Sequence, residues 1–121
     1  MILAHILAED RRPADALWGE SLVSSRLLQY EVWTRLHARR LTASHSEVAR
    51  LSMDRVSIVE MTPPVLARAL KPFPTPVRTL DALHLATMEF LREQGKRPLL
   101  ASYDDRLVDA AKRLKFKIAS Y

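Results

Sequence analysis

Hydrophobic positions along the chain alternate between short runs rich in β-branched residues and longer segments of helical period. This alternation is typical of βα units, in which helices connect parallel strands. The chain has only two glycines, which leaves few candidates for tight hairpin turns. The pattern therefore predicts one α/β domain over residues 1–121, in three layers and with parallel strands.

The same pattern predicts the order of the elements. Short apolar runs predict strands over residues 22–25, 56–62, 98–102 and 115–120. Segments of helical period predict helices over residues 2–9, 27–40, 44–53, 63–70, 79–94 and 104–114. Three prolines in residues 71–76 exclude regular structure there and predict a stiff connection to the helix that begins near Thr79. Gly95 occupies the position of a helix stop.

Polar residues at the helix starts predict side-chain caps. Ser44 with Glu47 matches a capping box, and Thr79 can cap the helix that follows it. Ser102 with Asp105 matches a second capping box. If Asp105 serves its helix in this way, Asp104 has no local structural role and is the better candidate for function.

Composition narrows the possible chemistry. The chain has no cysteine, which excludes disulfides, thiolate zinc sites and cysteine nucleophiles. Nineteen Lys and Arg against fourteen Asp and Glu give a net charge of +5, which favours attraction to polyanions such as RNA and also suits an ordinary mixed-charge surface. No apolar run approaches the roughly 20 residues of a membrane span, and the N-terminus is a poor signal peptide. We therefore expect a soluble, cytoplasmic protein.

Three acidic side chains are predicted to meet at one rim of the sheet. Glu31 follows the strand 22–25, Asp104 follows the strand 98–102, and Asp81 opens the helix that leads to that strand. Ligands of parallel sheets bind beyond the carboxyl ends of the strands. Converging carboxylates repel each other unless a cation or protons neutralise them, and oxygen donors suit Mg²⁺ or Mn²⁺. Two of these acids also have a structural interpretation: an ion pair of Glu31 with Arg35, and a favourable dipole interaction for Asp81.

Other catalytic constellations have little support. Histidines 5, 37, 45 and 84 have no zinc-ligand spacing, and His84 is more readily a packed or hydrogen-bonded histidine than a partner of Asp81. The sequence contains no G-x-S-x-G elbow, P-loop or G-x-G-x-x-G motif. Trp18, Tyr30 and Trp33 could stack on bases, although apolar packing or a dimer contact is the commoner role.

Three segments resemble one known family. They are SRLLQYEVWTRL around Glu31, VRTLDALHLAT around Asp81 and PLLASYDDRLVDAAKRLKFKI around Asp104. In this order and at these separations they resemble the PIN-domain ribonucleases, and within them the VapC-type toxins of bacterial toxin–antitoxin pairs. The resemblance covers nearly the whole chain. Lys115 stands where such toxins often have a glycine after the last helix.

The resemblance implies a fold and a function. The fold is a Rossmann-like α/β/α sandwich, and the activity is that of an endoribonuclease dependent on Mg²⁺ or Mn²⁺. The implied partners are RNA as substrate, a small cognate antitoxin that inserts into the active-site groove, and a second copy in a homodimer. The implied catalytic and metal-binding acids are Glu31, Asp81 and Asp104, with Ser102 as a supporting polar residue.

One part of the family pattern is missing at the start of the chain. PIN domains open with a strand that bears the first catalytic aspartate, whereas residues 1–10 resemble the helix that follows it, and Asp10 falls at the far end of that helix. We therefore expect an N-terminally truncated domain whose natural chain begins upstream. If these 121 residues are the whole chain, we expect a weakened or altered sheet and poor metal binding. Two alternatives stay open: a non-catalytic PIN-like module that binds antitoxin or RNA, and a structure-specific DNA nuclease of related fold.

Overall fold

The computed structural model describes residues 14–120. These residues form two compact units, one that ends at Val59 and one that spans Glu60–Ser120. The helix predicted over residues 2–9 and the expectation of a missing first strand lie outside the described residues.

The first unit is a parallel strand pair with two helices. A 3-10 helix, Asp15–Gly19, precedes β1 (Leu22–Ser25), α1 (Leu27–Ala38), α2 (Thr42–Met53) and β2 (Val56–Val59). Strand β1 pairs with β2 in parallel, with Leu22 opposite Val56 and Ser25 opposite Val59. Val32 and Leu36 lie four residues apart on one face of α1 and are buried against Ala49 of α2. The packing of this face holds the two helices together.

The second unit contains three helices and a second parallel pair. Its elements are α3 (Pro63–Ala69), α4 (Thr79–Glu93), β3 (Leu99–Leu100), α5 (Asp105–Arg113) and β4 (Lys117–Ile118). Strand β3 pairs with β4 in parallel, with Leu99 opposite Lys117. The core of this unit joins α4 to α5 through Leu85, Met88, Leu107, Ala110, Ala111 and Phe116. The two alanines leave room for close approach of the helices.

The predicted α/β class with parallel strands is confirmed, and most boundaries agree within three residues. Strand 22–25 and the start of the helix at Thr79 match the prediction, while the other strands are shorter than predicted. Within residues 14–120 the strands form two separate pairs, β1 with β2 and β3 with β4. The organisation as a single domain stays a prediction.

Two of the predicted caps are wrong. Helix α2 begins at Thr42, before the predicted box, and the hydroxyl of Ser44 donates to the carbonyl of Leu41 at 3.2 Å, while Glu47 pairs with Arg50. Helix α4 begins with Thr79 already inside its first turn, so Arg78 is the N-cap. In both cases the helix begins earlier than the capping pattern indicates, which moves the expected cap into the helix.

A partly buried ion pair fixes the proline segment, residues 71–76, against the helices. The guanidinium of Arg68 on α3 donates to the carboxylate of Glu89 on α4 at 2.7 and 3.2 Å. It also lies 4.1 Å from the ring centre of Phe73 and donates to the carbonyls of Lys71 and Pro72 at 3.3 and 3.4 Å. The prolines are exposed and the residues between them are partly buried, so the segment turns its other side chains inward.

Three helices end with a residue in the left-handed region. These residues are Arg40 (φ 56°) after α1, Gly95 (φ 83°) after α4 and Lys115 (φ 69°) after α5. After α5 the N–H of Lys115 donates to the carbonyl of Lys112 and that of Phe116 to the carbonyl of Ala111, which is the Schellman pattern. The predicted helix stop at Gly95 is confirmed, and Lys115 holds the backbone conformation that glycine adopts most readily.

Lys115→Gly is expected to stabilise the protein. The substitution removes a Cβ from a left-handed backbone position, which is worth roughly 0.5–1 kcal/mol. Thermal unfolding followed by circular dichroism measures the effect. The control is Lys112→Gly inside α5, which should cost about 1 kcal/mol. A Lys115→Gly protein that melts as low as the control would contradict the backbone argument.

Separate replacement of Arg68 and Glu89 is expected to cost more than joint replacement. Their side chains are 26% and 14% exposed, so Arg68→Met leaves a mostly buried carboxylate unpaired, at a cost of about 2–3 kcal/mol. The double variant with Glu89→Leu should recover most of this loss. Urea unfolding of the four proteins gives the coupling energy.

The matched control for this cycle is the pair Arg113 and Asp109 on α5. Their side chains are 58% and 57% exposed. Their coupling energy should stay below about 1 kcal/mol. Equal coupling energies for the two pairs would show that burial does not govern the Arg68 interaction.

Candidate metal centre

Asp81 is a buried carboxylate in the first turn of α4. Its residue exposure is 8%. The backbone N–H of Arg78, the N-cap residue, donates to the carboxylate, which is one half of a capping box. Within the described residues the other oxygen, Oδ2, is buried and has no hydrogen-bond partner. Asp81 thus has the expected role at a helix start, and it retains an oxygen that this role does not use.

Asp104 is the N-cap of α5. Its Oδ1 accepts from the backbone N–H groups of Arg106 at 3.0 Å and Leu107 at 3.3 Å. Its own N–H donates to the hydroxyl of Ser102 at 3.0 Å. The predicted capping box of Ser102 with Asp105 is therefore wrong, since the N-cap is Asp104, two residues after Ser102. The argument that Asp104 lacks a structural role fails with it.

The two aspartates share one electrostatic environment within the second unit. Burial raises the pKa of Asp81 above its ordinary value, and the negative charge of Asp104 raises it further. The hydrogen bond from Arg78 and the positive charges of His84 and Arg78 act in the opposite direction on that pKa and are outweighed. The structure thus brings together two of the three predicted acids. It also places His84, one turn after Asp81, close enough to act on its charge.

Glu31 lies in the first unit, on α1, and is partly buried. Among residues 14–120 no three His, Cys, Asp or Glu side chains are grouped so that they could hold a metal ion. The assignment of Glu31 as a third ligand stays a prediction, as does the supporting role of Ser102 toward a metal.

The donor set at Asp81 and Asp104 fits a hard divalent cation. A buried carboxylate oxygen without a partner, next to a second carboxylate, is costly for a protein unless a cation or a proton compensates the charge. Oxygen donors of this kind are those that Mg²⁺ and Mn²⁺ prefer. The hydrogen bonds from Arg78 to Asp81, and from Arg106 and Leu107 to Asp104, fix the carboxylates in orientation, as second partners of metal-binding groups commonly do.

Sequence reasoning did not identify Arg78. Its backbone N–H orients Asp81 and its side chain carries a nearby positive charge. The available signal was its position immediately before the helix start, where the backbone N–H groups of a helix are unsatisfied. A search for acidic residues alone does not include such a position.

The described part of the chain has no helix that is both long and apolar enough to cross a membrane.

Comparison with known proteins identifies the family. The sequence model of the PIN domain matches residues 1–113. Ribonuclease VapC47 of Mycobacterium tuberculosis (strain CDC 1551 / Oshkosh) is 36% identical over 104 residues, which cover 84% of this chain and 73% of that protein. Ribonuclease VapC46 of Mycobacterium tuberculosis (strain ATCC 25618 / H37Rv) is 37% identical over 92 residues, covering 76% of this chain and 68% of that protein.

No solved structure matches the chain significantly. The resemblance to VapC-type proteins rests on sequence and is confirmed by the two relatives and by the extent of the domain match. The chain belongs to the PIN domain family.

Proposed function

We propose that this protein is an endoribonuclease that depends on Mg²⁺ or Mn²⁺ and acts as the toxin of a toxin–antitoxin pair. The observation that supports this most directly is the buried, unpartnered Oδ2 of Asp81 next to the carboxylate of Asp104. Two relatives that carry the name ribonuclease support the activity, since each covers more than two thirds of this chain.

Asp81 and Asp104 would hold the metal ion, with Glu31 as the proposed third acid. A bound divalent ion supplies a Lewis acid for the phosphodiester and lowers the pKa of a bound water. The protein groups have complementary roles. The N–H of Arg78 holds the Asp81 carboxylate, Ser102 accepts from the N–H of Asp104, and the first turn of α5 fixes its Oδ1.

The proposed substrate and partners follow from charge and family. A net charge of +5 favours attraction to the phosphate backbone of RNA. A cognate antitoxin, a homodimer and a cytoplasmic location complete the proposal, by similarity to VapC-type toxins. The competing hypothesis is a non-catalytic module that binds RNA or antitoxin without cleavage, and the first experiment below separates the two.

Metal-dependent cleavage is the direct test. The full chain with Mn²⁺ is expected to cleave a mixed cellular RNA, and EDTA should abolish cleavage. Asp81→Asn should reduce the rate by about a hundredfold or more, since metal-ion stabilisation of charge is worth several kcal/mol. Gel analysis of RNA fragments over time gives the rates.

Two substitutions at Asp104 separate its charge from its capping role. Asn is as good an N-cap as Asp, so Asp104→Asn should keep the fold and lose cleavage. Asp104→Ala should in addition lose about 1 kcal/mol of stability. Asp109→Asn, on the exposed face of the same helix, is the control and should cleave normally.

Cleavage by Asp81→Asn at the normal rate, or cleavage in EDTA, contradicts the proposed metal centre, and RNA binding without cleavage favours the non-catalytic module.

The raised pKa of Asp81 also predicts how stability depends on pH. The unfolded chain releases this proton near the ordinary value of 3.8, whereas the folded protein releases it at higher pH. Stability in EDTA should therefore fall as the pH rises through this interval and stay lower above it. Asp81→Asn removes the cost of burying a charged carboxylate. The melting temperature of this variant should therefore exceed that of the unsubstituted chain at neutral pH, and the difference should vanish in acid.

Mn²⁺ should reverse the order of the two melting temperatures. A ligand that binds only the folded state raises its stability, so Mn²⁺ should raise the melting temperature of the natural chain and leave Asp81→Asn unchanged. Differential scanning fluorimetry across pH, with and without Mn²⁺, measures both effects. An equal rise in melting temperature for the two proteins would show that Mn²⁺ binds at a site other than Asp81.

A further inference from the structure

A cleft of about 430 Å³ lies within the first unit, on the side of α1 that bears Trp33. Its walls come from Arg26, Gln29 and Trp33 at the start of α1, from Arg50 and Asp54 at the end of α2, and from residues of β2. We call it the Trp33 cleft. Its volume lies within the range of about 300–1,000 Å³ that is usual for small-ligand sites.

The spacing along α1 explains why three different side chains share one wall. Arg26, Gln29 and Trp33 are separated by three and four residues, which places them on the same side of a helix. Arg26 donates to the amide oxygen of Gln29 at 3.1 Å across an exposed contact. An aromatic ring, an amide and a guanidinium thus lie in one row that opens into the cleft.

Trp33 is held in place by the core of the unit. Its side chain packs against the cluster of Val32, Leu36 and Ala49, and it is only partly buried. The remaining surface of the residue contributes to the cleft. A partly anchored indole offers a planar surface at low entropic cost, which suits stacking on a base.

The charges of the cleft favour an anion. Arg26 and Arg50 contribute two guanidinium groups against one carboxylate, Asp54. Arg50 pairs with Glu47, and both side chains are more than 60% exposed, so this ion pair contributes little and can exchange for a phosphate. The polar walls are a poor match for an apolar peptide. They combine the groups that contact phosphate with those that contact bases and ribose.

We infer that the Trp33 cleft binds one nucleotide of a single-stranded RNA. The base stacks on Trp33, and the guanidinium groups of Arg26 and Arg50 contact phosphate oxygens. Gln29 and Asp54 supply an amide and a carboxylate that can hydrogen-bond to base edges or to the ribose 2′-hydroxyl. This inference rests on the proposed function, since it assigns a subsite for its RNA substrate.

Fluorescence of Trp33 tests the inference without cleavage. The Trp18→Phe protein keeps Trp33 as its one tryptophan, and EDTA prevents metal-dependent hydrolysis. Titration with a single-stranded oligoribonucleotide of six adenosines should quench the emission to saturation. AMP alone should bind at least about tenfold more weakly than the hexamer, because it lacks neighbouring phosphates.

Charge-neutral variants locate the contact. Arg26→Gln and Arg50→Gln should each raise the dissociation constant for the hexamer about fivefold or more, as loss of a charged contact would. The control is Arg35→Gln, the same change on an exposed position of α1 outside the cleft, and it should have less than a twofold effect. Circular dichroism confirms that each variant is folded.

The outcomes distinguish the inference from the proposed function. No saturable quenching, or equal weakening by Arg35→Gln, overturns the subsite even if the chain cleaves RNA with Mn²⁺. AMP that binds as tightly as the hexamer assigns the cleft to a free nucleotide and also overturns the inference. Quenching with the expected variant pattern supports it, and does so whether or not the same protein cleaves RNA.

Discussion

The second unit depends on the packing of α4 against α5. Leu85 and Met88 of α4 meet the small residues Ala110 and Ala111, and Phe116 closes the cluster. Because the helices pack this closely, Asp104 is near enough to act on the charge of Asp81, which is itself buried. The apolar core thus imposes an unfavourable electrostatic arrangement that a core built for stability alone would not contain.

That arrangement is informative because both carboxylates are also held by backbone N–H groups. Asp81 accepts from the N–H of Arg78, and Asp104 accepts from the N–H groups of Arg106 and Leu107. Within the described residues the Oδ2 of Asp81 has no hydrogen-bond partner, and the nearby charge of Asp104 is of the same sign. Sites that lower stability locally while their surroundings are well satisfied are commonly functional. The buried oxygen and the family match are separate observations, and both support the proposed function.

Periodicity was sufficient to predict the class of fold and most helices. Long helices such as α4 carry their apolar face for several turns, so their pattern is strong. The short strands were overpredicted because an apolar run does not indicate where pairing ends, and β3 and β4 pair over only two residues each. Helix caps were predicted least well. Asp104 and Asp105 both suit a helix start, and which of them is the N-cap depends on the backbone conformation.

The acids of the candidate site were predictable as residue types and less so as an arrangement. Asp81 and Asp104 could be placed at one rim because both follow from the order of strand and helix. The contribution of Arg78 through its backbone could not be predicted, because every residue except proline has a backbone N–H group. The position of Glu31 relative to a metal depends on tertiary geometry, which periodicity does not encode.

The proline segment has a consequence for how this protein behaves at high concentration. Pro72, Pro74 and Pro76 are exposed and have no N–H groups, and two carbonyls of the segment accept from Arg68. A neighbouring chain therefore finds few free backbone groups there with which to begin an intermolecular sheet. Extended backbone with unpaired N–H and C=O groups can pair with another chain, as an exposed edge strand does. The prolines that prevent regular structure in residues 71–76 therefore also protect this surface from aggregation.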